Sequence, residues 1–180
     1  MTISKLKFDT FNPKFSYKMA IRNRGKHSND DKIFGQKWQA LFLEAIQDLS
    51  FLMTRGYAEK SATQLVGNRY KMNARQQKAL LRMSASKNAI LNRKQKAISQ
   101  ESIANQIVLI DGFNLLILLE NALSKAYIFK SQDTAYRDVA GVHGSYKRVV
   151  QTENAIILVG NVLKSLKANS TKICFLQEKF

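Results

Sequence analysis

This 180-residue chain has one cysteine, one proline and two histidines. With Cys174 alone there is no intrachain disulfide, and no Cys/His metal site can be assembled. Cys174 lies in the apolar run 173–176, where a thiol reads as buried and inert. No apolar run approaches the roughly 20 residues that a membrane span needs. Residues 1–16 carry lysines but neither an apolar core nor a small-residue cleavage pattern, so a cytoplasmic protein without membrane association is expected. Phosphate-binding loops are missing as well: there is no Gly-x-x-x-x-Gly-Lys-Ser and no Gly-x-Gly-x-x-Gly, which speaks against nucleotide-dependent enzymes. A Ser or Cys nucleophile motif is also lacking. His143 is thus open to two readings, a general base or phosphate-binding group, or a neutral loop histidine bonded to backbone.

Acids are scarce too. Thirteen Asp and Glu face 29 Lys and Arg, a formal net charge of +16. The excess is concentrated: residues 1–100 hold 20 Lys and Arg against 6 acids, residues 101–180 only 9 against 7. A basic field of this size attracts polyanions, which points to nucleic acid, a ribosome or an anionic surface without choosing among them. The 45% apolar content is enough for a packed core.

The chain divides near residue 100. Residues 1–34 scatter lysines, arginines and aromatics around Pro13 without sustained periodicity and read as an irregular basic arm. Residues 35–100 read as a helical module. Trp38, Leu41, Phe42, Ala45, Ile46, Leu49, Leu52 and Met53 recur at three- and four-residue steps, one face of a helix ending at Gly56. A second helix is expected over 58–66, with Gly67 as its C′ residue. A third begins at Asn73, which can cap it while Gln76 reaches back in a capping box. Its inward face is Ala79, Leu80 and Met83. Arg75, Lys78 and Arg82 share another face, with Arg69 and Lys71 in the turn before it. These five cations are the candidate nucleic-acid contacts, whether in a helix-turn-helix or through phosphates alone. Residues 84–102 are polar and open to two readings, helical extension or linker.

Residues 101–180 read as strand, helix, strand, helix, strand, the layout of an α/β fold with parallel pairing. Ile107–Ile110 is expected to be a fully buried parallel strand, residues 115–123 a helix, 127–129 a short strand, a helix opening near Val150, and 172–176 a last strand. Asp111 then stands at the carboxyl end of the first strand, where ligands gather in open α/β sheets. Asp111, Asp133 and Asp138 are the acids of this rim, with Glu120 and Glu153 on helices. Carboxylates of this kind suit Mg²⁺ or Mn²⁺ and metal-assisted phosphodiester hydrolysis. The alternatives are structural: Asp111 capping the following helix, and Asp138 paired with Arg137.

The run Ile110-Asp111-Gly112-Phe113-Asn114 resembles the first-strand motif of PIN-like nucleases, especially the NYN branch. Together with Asp48-Leu49-Ser50, Arg55-Gly56-Tyr57, residues 65–70 and residues 136–146, it is similar to an uncharacterised prokaryotic family, domain of unknown function 434. There a basic helical module precedes a PIN-like domain. The resemblance covers roughly residues 22–176. It implies a metal-dependent ribonuclease-related protein acting on RNA. Asp111, Asp133 and Asp138 would be catalytic acids, and Asp111, Asn114, Asp138 and Glu153 would hold Mg²⁺ or Mn²⁺. The end of the chain departs from the pattern: Gln177 stands where an acid is expected and Glu178 is one residue out of step. A truncated PIN-like domain is therefore the expectation, with a non-catalytic nucleic-acid-binding or ribosome-associated protein as the alternative.

Overall fold

The computed structural model describes residues 2–3, 24, 26–140 and 146–174, with side chains left aside at 2, 3, 173 and 174. His143, Gln177, Glu178, most of the expected basic arm and the side chain of Cys174 lie outside the described residues. The fold is α/β, with a helical module and a small sheet, in two units. One comprises residues 25–97 and 125–141, the other residues 1–24, 98–124 and 142–180.

The first, helical unit contains α1 (Asp30–Phe34), a 3₁₀ turn (Gln36–Trp38), α2 (Gln39–Thr54), α3 (Glu59–Arg69), α4 (Ala74–Met83) and α5 (Lys87–Lys96). Its core is Phe34, Phe42, Ala45, Leu49, Ala62, Val66, Met72, Ala79 and Leu80, joined by Phe129 and Val139. α2 closes as the sequence indicates. Gly56 takes a left-handed φ of +84°, its N–H reaches the Met53 carbonyl, and the Tyr57 N–H reaches Leu52. These two bonds form a Schellman end. α4 opens on the expected capping box, the Asn73 side chain accepting from the Gln76 N–H at 2.9 Å and Gln76 Oε1 accepting from the Asn73 N–H at 3.0 Å.

Three expectations are corrected in this unit and one open reading is settled. The stretch before residue 34 is not irregular throughout, because Phe34 enters the core and fixes α1. Gly67 does not end α3. It lies inside the helix where α4 crosses closely, and a Cβ there would sit 2.4 Å from Gln77 Cγ. The open stretch after Ser84 is a helix, α5, capped by Ser86 accepting from the Ala89 N–H at 3.2 Å. Finally, the strand expected at 127–129 is half of a hairpin. β3 (Phe129–Lys130) pairs antiparallel with β4 (Tyr136–Arg137), and the Gln132 N–H binds the Met83 carbonyl at the end of α4. Residues 125–141 therefore belong with the helices rather than with the parallel sheet.

In the second unit, β1 (Thr2–Ile3), β5 (Ser170–Cys174) and β2 (Ile107–Asp111) form a sheet in the order β1-β5-β2. β2 and β5 run parallel with Ile107 opposite Ser170 and Asp111 opposite Cys174, while β1 is antiparallel to β5. Among the described residues β2 is an edge strand. Its exposure alternates, with Ile107 63% and Leu109 69% exposed, so it is covered on one face and not on both as its apolar run suggests. α6 (Gly112–Leu123) follows β2 without a loop and packs on α7 (Thr152–Ser165), Leu116 of α6 and Ala155 and Val159 of α7 being buried.

Candidate functional site

Asp111 ends β2 and caps α6. Its carboxylate accepts from the Asn114 N–H at 3.4 Å and from Asn114 Nδ2 at 2.6 Å, and the side chain stays exposed. An N-cap satisfies an amide that the first helical turn leaves without a partner. Asn114 turns its amide nitrogen, a donor, toward Asp111. Glu153 is exposed in the first turn of α7, a position that the helix dipole favours for an acid.

The other two expected acids lie in the helical unit. Asp133 is buried in the hairpin loop and is held by Arg137 at 2.6 and 2.7 Å, by Arg93 of α5 at 3.0 Å and by the Ala135 N–H at 3.2 Å. The Arg137 hydrogen bonds keep its carboxyl far below the ordinary aspartate range despite burial. Arg137 is thus spent on Asp133, not on the neighbouring Asp138. Asp138 is half-buried and accepts from the Ala140 N–H at 2.7 Å. Among the described residues no three His, Cys, Asp or Glu side chains converge.

A carboxylate that spacing does not single out is fully enclosed. Glu120, with no exposed surface, accepts from Arg24 Nε at 2.5 Å, from Thr152 Oγ1 at 2.6 Å and from the Tyr146 hydroxyl. Burial and the bond to Glu120 raise the Tyr146 phenol above its usual range. The Tyr146 ring lies 5.2 Å from Phe113, so the last residue of the 136–146 motif meets the Asp-Gly-Phe-Asn motif. The available signal was Glu120 four residues after Leu116, an acid on a buried helical face.

The expected cationic face divides by partner. Arg75 donates to both oxygens of fully buried Asp30, at 2.6 and 2.9 Å. Burial works against ionised Asp30, but Arg75 and the His27 N–H outweigh it and leave its pKa lowered. Arg75 therefore joins α4 to α1. Arg69 lies 3.6 Å from Asp48 in an exposed pair. Lys71, Lys78 and Arg82 make no ion pair among the described residues. Burial, reinforced by Arg82 and opposed by Asp138, holds the Lys78 ammonium below the ordinary lysine range. The helical unit as a whole holds seventeen Lys and Arg against seven acids, a balance of +10.

Comparison with known proteins matches the two parts of the chain separately. Residues 41–96 match the family described as Protein of unknown function (DUF434), and residues 100–178 match Domain of unknown function (DUF5616). Both are families of unknown function, and the chain carries the two matching regions in succession. An uncharacterized protein of Methanocaldococcus jannaschii is 32% identical over 121 residues, which is 67% of this chain and 58% of the relative. The chain thus spans under two thirds of the length of that relative. No solved structure matches the chain significantly.

Proposed function

We propose that the helical unit binds nucleic acid, RNA in the first instance, through Lys71, Lys78 and Arg82, which make no ion pair among the described residues. The observation that carries this reading is the surroundings of Lys78. Lys78 is half-buried, Arg82 follows it one turn on along α4, and neither makes an ion pair among the described residues. A phosphate placed there offsets the repulsion between these like charges. RNA is the ligand that the likeness to PIN-like nucleases implies. The test is fluorescence anisotropy with a labelled RNA. Replacing Lys78 and Arg82 together with Ala is expected to weaken binding about tenfold or more at low salt, with circular dichroism unchanged. Unaltered affinity in that variant contradicts the reading.

A second reading, a PIN-like ribonuclease dependent on Mg²⁺ or Mn²⁺, is favoured by one observation. Asp111 stands exposed at the carboxyl end of a parallel strand, beside Asn114. Under this reading, RNA cleavage with either ion is lost in Asp111→Asn. Absence of cleavage by the unaltered chain with both ions sinks it and leaves the binding reading standing.

A further inference from the structure

The Arg55-Gly56-Tyr57 motif has no part in the cationic face of α4, yet it sits beside an unusual surface. Phe51 and Tyr57 are 56% and 55% exposed. The Arg55 guanidinium lies over the Phe51 ring, 4.6 Å from its centroid. Asp48, Phe51 and Arg55 follow at three- and four-residue steps along one edge of α2. At Asp48 that edge meets Tyr70, whose hydroxyl donates to Asp48 Oδ2 at 3.0 Å, with Arg69 stacked 5.7 Å from the Tyr70 ring. The Schellman turn at Gly56 fixes where Tyr57 leaves the helix. The result is two exposed rings at the end of α2, Phe51 carrying a guanidinium, with a half-buried third ring, Tyr70 at the end of α3, bonded to the same α2 edge through Asp48, in a unit of charge +10.

We infer that this row is a stacking platform for single-stranded nucleic acid. The inference rests on the nucleic-acid reading above and adds which form is bound. Exposed rings gain from a flat, apolar partner, and a stacked guanidinium presents both a planar face and a charge for phosphate. A base provides the first and the backbone the second. In a duplex the base faces are hidden in the stack, so a ring on the protein surface finds them only in a single strand. The α4 cluster supplies charge without form, because phosphates alone satisfy it. The row supplies what that cluster lacks.

The experiment titrates the full chain with labelled single-stranded RNA, single-stranded DNA and a blunt duplex of equal length. Proteins compared are the unaltered chain, Phe51→Ala/Tyr57→Ala, Phe51→Trp/Tyr57→Trp and Lys78→Ala/Arg82→Ala. Removing the two rings is expected to lower single-strand affinity by roughly tenfold or more and to leave duplex affinity within about twofold. The slope of affinity against salt should not change, since no cation is lost. The tryptophan pair should retain single-strand binding, which excludes a folding defect as the cause. RNA and DNA single strands both count as support, and their ratio gives the preferred sugar. Retained single-strand affinity without the rings, or equal loss on strand and duplex, overturns the platform while the cationic reading survives. If no nucleic acid binds at low salt, both fall.

Discussion

Asp133 illustrates how a side chain of catalytic type can be committed to structure. Two guanidinium groups and an amide satisfy its carboxylate, and breaking a buried pair leaves an uncompensated charge. Because Arg93 and Arg137 are partly exposed, we expect Asp133→Asn to cost about 2 kcal/mol at neutral pH, measured by urea unfolding. The sign of its pH dependence follows from a folded pKa below the unfolded value of 3.8. Stability from Asp133, and likewise from Asp30, is present above that value and is lost as pH falls below it. Asp133→Asn should accordingly flatten the acid limb of stability against pH. An unchanged acid limb shows that the Arg137 pair contributes nothing. Arg75→Ala should be more damaging at about 3 kcal/mol, since it strands Asp30 with no exposed surface. The capping box at Asn73 was legible because its partners are three residues apart. The pairing of Arg75 with Asp30 was not, because 45 residues of chain separate them.

Among the elements, α3 and α4 approach most closely at Gly67. A methyl group there meets the Gln77 side chain at its Cγ, and moving that side chain breaks the 2.9 Å hydrogen bond from Gln77 Nε2 to the Met72 carbonyl. Gly67→Ala is expected to destabilise the helical unit by roughly 1–3 kcal/mol by thermal melting, and Gln77→Ala in the same chain should restore part of the loss. No rescue implies that the crossing is not the cause. The glycine was visible in the sequence, but a helix end and a helix crossing both call for glycine. Only the third dimension separates them. Periodicity gave α2 and its closure at Gly56 because one face recurs over many residues. It misplaced 127–129, because an apolar triplet does not say whether its partner strand is local or distant. The apolar run of β2 was likewise ambiguous, since alternating exposure follows from the sheet being covered on one face and not from its residue types.

Across the whole molecule, charge is the property that sequence conveys most directly and geometry refines most. The count of cations was plain from the start. Which of them remain free was not, because Arg75, Arg93 and Arg137 are drawn into structural pairs by Asp30 and Asp133. What is left on α4 and the preceding turn is Lys71, Lys78 and Arg82, among seventeen cations of a unit with seven acids. Of the expected acidic rim, Asp111 and Asn114 are joined at one helix cap, while Asp133 and Asp138 belong to the other unit. Spacing alone could not show this, because a hairpin carries residues 125–141 back to the helices. The most direct check is the salt dependence of RNA affinity between about 50 and 200 mM, for the unaltered chain and for Lys78→Ala/Arg82→Ala. The account predicts a linear fall of log affinity with log salt, and a slope smaller by about 1.4 in the variant if each cation holds one phosphate. Equal slopes, or an affinity indifferent to salt, contradict it.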